Sequence, residues 1–245
     1  MAEQAADTGS LVQLRGVSKH VGMVQVLNDI DLDLARGEVI AVLGPAGSGK
    51  SMLCRAINGL ERIDSGRITV EGRPLPRRGR ELARMRRDIG VVSPPFGLAP
   101  HRTVLENVVF GRFRLWQAAT PGSRRRARAL LERFELEDRA GRFPWELSND
   151  QQQRVAMARA LAAEPKLMLV DEPALGLSPE LLRGLAADGM TLLVATGEPC
   201  LARRAADRVV FMDGGRIIEQ SPTDDFFTTP RTSRAHAFLA RMRQG

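Results

Sequence analysis

The sequence predicts a layered α/β fold: a mixed, largely parallel core sheet, an N-terminal antiparallel β lobe and a helical lobe. Three observations carry this. "LVQLRGVS" and "VLNDIDLDLA" place apolar residues at every second position, as half-buried antiparallel strands do. "EVIAVLG", "KLMLVDEP" and "MTLLVATGE" are continuous apolar runs, the pattern of strands covered on both faces. Between the first and second of these runs, residues from about 97 to 155 carry helical periodicity and many of the arginines, broken by Pro121-Gly122. Strands, then a helical segment, then strands is the order of a layered α/β architecture.

Taken in order, the alternating strands are followed by "EVIAVLG", the central buried strand. Next comes "GPAGSGKSMLCRAINGL", glycine-rich and then helix-periodic. "GRITVEG" adds a short strand bracketed by glycines. After the helical lobe, "KLMLVDEP" and "MTLLVATGE" flank a short helical segment, and "RVVFMDGGRIIEQ" is a hairpin turning at Asp213-Gly214-Gly215. No repeat or low-complexity linker divides the chain, so 1–245 is read as one domain with the helical lobe inserted.

With 245 residues, 43% of them hydrophobic, the chain can bury a substantial core. No run approaches ~18 consecutive apolar residues and "MAEQAADTGS" has no basic-then-apolar leader, so a cytoplasmic chain is expected. Cys54 and Cys200 lack paired spacing and read as reduced packing residues. The net charge is +7, and only Lys19, Lys50 and Lys166 among 36 basic residues are lysines. Two arginine clusters, Arg77 to Arg87 and Arg124 to Arg128, read as solvated helix faces or surfaces toward anionic headgroups. Aromatics make up 4% and tyrosine is absent, which argues against base-stacking platforms and a nucleic-acid partner.

The strongest motif is "GPAGSGKS", which fits G-x-x-x-x-G-K-S after a buried strand and at the opening of a helix. Gly44, Pro45, Ala46, Gly47, Ser48 and Gly49 would wrap a polyphosphate, with backbone N–H groups and the helix N-terminus facing the anion. Lys50 would hold the β- and γ-phosphates and Ser51 would place its hydroxyl on Mg²⁺. Downstream, Asp171 and Glu172 end a buried strand. The first can hold Mg²⁺ through water, and the second can take a proton from an attacking water. ATP and Mg²⁺ are the expected ligands.

With "GPAGSGKS", "LSNDQQQRVAMARAL" and "LMLVDEP" in this order, residues from about 11 to 240 resemble the ATP-binding subunit of ABC transporters. "INGLE", "TVLENV" and "ADRVVFMDGGRIIE" are similar to the branch that powers uptake of polar amino acids. The resemblance implies a P-loop NTPase fold and a pair of subunits sandwiching two ATP molecules. Each site then combines the cradle and acids of one subunit with the signature helix of the other. Partners so implied are a second ATP-binding subunit, in a homo- or heterodimer, a membrane permease and, indirectly, an extracellular solute-binding protein. The chain would sit at the inner face of the cell membrane.

The same resemblance exposes departures. The family signature L-S-G-G-Q stands here as Leu147, Ser148, Asn149, Asp150 and Gln151, at a helix start facing the partner's ATP. A carboxylate about 5 Å from a phosphate charge, at an effective dielectric near 20, would cost roughly 3 kcal/mol. Asp150 turned outward as an ordinary acidic first-turn residue would avoid that cost. Pro94 stands where the family has a glutamine that touches Mg²⁺, and Gly197 where it has a histidine for the leaving γ-phosphate. Ser178 replaces an aspartate at the dimer seam. Val21 falls at the adenine-stacking aromatic and Met52 at a threonine. The helix after Glu180 is about seven residues short, roughly 10 Å.

Two functions are therefore expected to compete. One is an ATPase driving import of a small polar solute, slowed by these departures. The other is a nucleotide-binding subunit without turnover that holds or regulates an assembly. Of the remaining candidates, His20, His101 and His236 are too scattered for a metal site. Trp145 reads as packing within the lobe, and Phe226 and Phe227 as core or subunit contact.

Overall fold

The computed structural model describes residues 9–111, 120–173 and 177–242. The N-terminal lobe is a four-stranded antiparallel sheet in the order β2-β1-β4-β5, from β1 (Ser10–Val21), β2 (Val24–Ala35), β4 (Ser65–Val70) and β5 (Arg73–Pro74). The alternation does what the sequence promised: Ile30, Leu32 and Leu34 are buried while Asp31 faces out.

The core sheet has six strands in the order β10-β9-β3-β8-β7-β6. These are β3 (Val39–Leu43), β6 (Ile89–Val92), β7 (Leu167–Asp171), β8 (Thr191–Thr196), β9 (Arg208–Asp213) and β10 (Arg216–Pro222). All pairings are parallel except the β9–β10 hairpin, which turns at Gly214 and Gly215. Strand β3 is buried along its whole length and supplies both faces. Val39, Ala41 and Leu43 join one core cluster, Ile40 and Val42 the other.

On one face lie the antiparallel lobe and α1 (Lys50–Ile57). On the other lies the helical region of α3 (Val104–Val109), α4 (Pro121–Arg133) and α5 (Asn149–Leu161). The same face carries α6 (Pro179–Ala187), α7 (Pro199–Ala205), α8 (Thr223–Thr228) and α9 (Ser233–Met242). Among the described residues, the predicted helical lobe thus starts with a loop and holds three α-helices. Helix α2 (Gly79–Met85) buries Leu82 and exposes Arg80 and Arg84. Helix α4 buries Ala127 and Leu131 and exposes Arg124, Arg125 and Arg128, so each cluster puts part of its charge on a solvated helix face, while Arg86 is half-buried and donates to the Asn58 and Gly59 carbonyls. Among the described residues, no helix is long and apolar enough to cross a membrane.

Two packing expectations are corrected. Trp145 is 64% exposed, its ring stacked on Phe143 at 4.6 Å rather than inserted into the lobe, because the short turn Pro144–Glu146 buries the proline instead. Cys200, in the first turn of α7, is exposed, whereas Cys54 is buried and its thiol is pushed well up by desolvation. Phe226 and Phe227 are core, as expected. Strand β6 went unanticipated, since four residues of "IGVV" are too short to declare a period.

Glu219 ties the chain's last helix to the sheet. Its buried carboxylate accepts from the N–H groups of Arg231 and Thr232 and from the hydroxyls of Thr232 and Ser221, all at 3.0–3.1 Å. Burial alone would raise its pKa, but these bonds outweigh it and hold the carboxyl below the ordinary glutamate range. Glu219→Ala is expected to cost about 2–4 kcal/mol, by leaving buried donors unpaired. The melting temperature of this variant should fall by roughly 5–10 °C. Because the folded pKa is depressed, the wild-type contribution is full above the unfolded glutamate pKa and lost as pH falls through the folded one. The gap between variant and wild type should therefore close in acid.

Candidate nucleotide-binding site

The strands β3, β8, β7 and β6 run parallel, so their C-terminal ends share one edge of the sheet. Leu43 pairs with Thr196, Asp171 with Ala195, and Val92 with Val170. That edge therefore presents the loop from Gly44, the Gly197 turn, Asp171 and Glu172, and the segment from Ser93 through Pro94. Ligands of open α/β sheets bind at this end of the strands.

The cradle is shaped by its glycines. A Cβ at Gly44 would overlap the carbonyl oxygen of Met212, so the loop leaves β3 pressed against β9. Gly49 has φ 102°, and a Cβ there would sit 2.6 Å from the Val26 carbonyl. A side chain at either position would displace backbone, and at Gly49 it would also be strained. From the outside, Gly215 donates its N–H to the Ser48 carbonyl at 3.1 Å and accepts from the Asn28 N–H at 2.8 Å. The loop is thus braced between hairpin and antiparallel lobe. Pro45 is half-buried, Ala46 and Gly47 are exposed, and Ser48 is buried. The first N–H groups of α1, on Lys50, Ser51 and Met52, have no partner within the helix and open onto the loop.

Lys50 is only 7% exposed. Its ammonium donates to the carbonyls of Gly44 and Pro45 at 2.9 and 2.8 Å and to Ser48 Oγ at 3.4 Å. Desolvation lowers its pKa, and the nearby carboxylates of Glu172 and Asp171 offset part of this. Ser51 Oγ donates to Asp171 Oδ1 at 2.9 Å. Burial pushes the Asp171 carboxyl up against that bond, and Glu172 adds to the rise. A cation beside Asp171 would relieve this cost. One hydroxyl and one carboxylate side by side are hard oxygen donors of the kind that Mg²⁺ takes. Glu172 is exposed with φ 50°, a conformation fixed by its N–H bond to the Ala195 carbonyl at 2.9 Å.

The structure therefore gathers Lys50, Ser51, Asp171 and Glu172. Gly197 also lies near the cradle: a Cβ there would be 4.0 Å from the Gly44 carbonyl oxygen, with nothing closer. Met52 packs partly buried behind the loop, and Val21 is 52% exposed at the end of β1. Pro94 is exposed just past β6.

The Ser148 to Gln151 segment forms a helix start of its own. Ser148 is the N-cap of α5, its Oγ accepting from the Gln151 N–H at 3.3 Å while Gln151 Oε1 accepts from the Ser148 N–H at 3.0 Å. Asn149 is exposed, and the half-buried Asp150 complements the helix dipole from the first turn. Ser178 caps α6, accepting from the Leu181 N–H at 3.2 Å.

A profile for the ABC transporter family matches residues 27–175. The chain is 44% identical over 239 residues to the glutamate transport ATP-binding protein GluA of Corynebacterium glutamicum, covering 95% of this chain and 99% of that one. The chain belongs to the ABC transporter family. The glutamate/aspartate import ATP-binding protein GltL of Escherichia coli is 43% identical with the same coverage. Among solved structures, the dimeric ATP-binding cassette MJ0796 in a post-hydrolysis state with ADP and Pi superposes with a TM-score of 0.78. It is 33% identical, and the match covers 86% of this chain and 98% of that one. The P-loop NTPase fold follows from this ABC cassette's own sheet order and its neighbours alike.

Sequence reading missed the Gly215 brace on the cradle. No local pattern separates a braced loop from a free one, because the brace lies more than 160 residues away in sequence.

Proposed function

We propose that this chain, as one nucleotide-binding domain over 1–245, is the ATP-binding subunit of an importer for a polar amino acid. The reading rests on the transport named for GluA and GltL. The observation that carries it is the convergence of Lys50 with the Ser51–Asp171 pair beside Glu172 at one sheet edge. Lys50 and the amides from Gly47 to Met52 bind the phosphates, and Ser51 and Asp171 hold Mg²⁺. When bound, Mg²⁺ neutralises charge on the phosphate oxygens. Glu172 accepts the proton of the attacking water.

The chain works with a second ATP-binding subunit, whose signature helix completes the site, and with a membrane permease that keeps it at the inner face of the cell membrane. An extracellular solute-binding protein delivers the amino acid. Turnover is slow. Gly197 brings no side-chain donor to the leaving phosphate and Pro94 no side-chain amide to Mg²⁺, and Asp150 sets a negative charge at the helix start that meets the partner's nucleotide.

Glu172→Gln should lower ATP turnover of the assembled importer by at least about a hundredfold while leaving Mg·ATP affinity within a fewfold. Steady-state hydrolysis beside a binding titration reads both. Equal rates in wild type and variant, with tight Mg·ATP binding in both, would instead mark a subunit that binds nucleotide without hydrolysing it.

A further inference from the structure

We infer that Arg159 is a positioning residue: its guanidinium joins the loop after β6 to the helix that begins at Ser148, so that loop and helix respond to nucleotide as one body. The inference rests on the nucleotide-binding reading and adds a relay to it.

Arg159 lies in the last turn of α5. Its Nη2 donates to the Phe96 carbonyl and its Nη1 to the Gly97 carbonyl, both at 2.6 Å. Those two residues have φ 46° and 58°, so consecutive left-handed residues aim both carbonyls at one fork. The stem of Arg159 is held as well, since a Cβ at Gly111 would overlap it. Both bonds go to neutral carbonyls. A half-buried cation served only by neutral carbonyls gains no ion pair from this arrangement. Its planar fork is well suited to fixing two points of a loop at once.

A second tether points the same way. Asn107 on α3 donates to the carbonyls of Ala99, Arg102 and Thr103 at 3.0–3.1 Å and accepts from the Ala99 N–H at 2.7 Å. The Phe96 ring is buried in the cluster that the helical region shares with the sheet. The loop therefore leaves the sheet at Ser93 and is carried by the helical region from Phe96 onward. Pro94, at its start, can contribute no amide of its own. Arg159 supplies the mechanical link in its place: a shift of α5 when its start or the cradle is engaged moves the carbonyls of Phe96 and Gly97 with it.

The test is amide hydrogen exchange on the full chain, with and without Mg·ATP, in wild type, Arg159→Gln and Arg159→Lys. Thermal melting of each variant is recorded alongside. In wild type, Mg·ATP should slow exchange in peptides of the cradle, Gly44 to Ser51, and change exchange at least about threefold across Phe96 to Ala99. In Arg159→Gln the cradle response should persist and the loop response disappear, and Arg159→Lys, a point charge without the fork, should recover less than half of it. A loop response that survives Arg159→Gln, or that lysine restores in full, overturns the relay, as does a wild-type loop that ignores nucleotide while the cradle responds. Loss of the cradle response in the variants along with that of the loop would reduce Arg159 to a structural residue and overturns it too. A wild-type cradle that ignores Mg·ATP removes the nucleotide-binding reading, and the relay falls with it.

Discussion

Lys50→Ala is expected to weaken Mg·ATP binding by at least about a hundredfold and to leave no turnover above background, the loss typical of removing a preorganised phosphate donor. The ammonium sits almost wholly buried at the mouth of the cradle, bonded to two carbonyls of the loop itself. Those bonds hold the charge where a phosphate would meet it and keep the Gly44 and Pro45 carbonyls from facing an anion unscreened. Alanine removes the cation and leaves the two acids Asp171 and Glu172 to repel the nucleotide. Isothermal calorimetry on the folded variant is the measurement. Affinity within threefold of wild type would mean that the loop does not receive a triphosphate.

The second large effect is a gain. Combining Asn149→Gly, Asp150→Gly and Gly197→His should raise turnover of the assembled importer by about a hundredfold or more, since removing the roughly 3 kcal/mol repulsion at Asp150 alone accounts for that factor. The structure accommodates all three changes. Gly197 lies outside the left-handed region and a Cβ there meets nothing nearer than 4.0 Å, so an imidazole can be mounted without moving the cradle. Asn149 and Asp150 occupy the first turn of α5, where the reciprocal bonds of Ser148 and Gln151 already hold the helix start. Two glycines there cost about 1–2 kcal/mol of helix stability, little beside the expected gain. Steady-state hydrolysis should show the increase. Turnover within twofold of wild type would mean that Asp150 points away from the partner's nucleotide and that the missing histidine does not limit the reaction.

What the sequence disclosed follows from range. The cradle is contiguous, and its strand and helix flank it directly, so glycine spacing and apolar runs sufficed to place Gly44 to Ser51. Asp171 and Glu172 were legible because they end an unbroken apolar strand. The antiparallel lobe announced itself through alternation. What was not legible depends on pairings between distant segments. Strand order, with β3 between β8 and β9, leaves no trace in any local period. Neither do the fork of Arg159 on Phe96 and Gly97 and the web around Glu219, which join residues that only the fold brings together. Trp145 misled for a related reason: a large apolar ring is a core residue by composition, and only the turn that holds it turns it toward solvent.

The place of β3 bears on how the protein is made. Its register partners on either side, Leu192 on β8 and Arg208 on β9, are encoded more than 150 residues after Val39 and Ile40. A ribosome working at about 5–20 residues per second needs roughly 8 to 30 seconds to cover that interval, during which the first strand of the core has no neighbours to pair with. The segment that will hold nucleotide is synthesised early yet acquires its shape late, once the final hairpin has emerged and Gly215 can reach back to Ser48. Competence to hold a triphosphate therefore waits for the β9–β10 hairpin, whose Gly215 follows Ser48 by more than 160 residues.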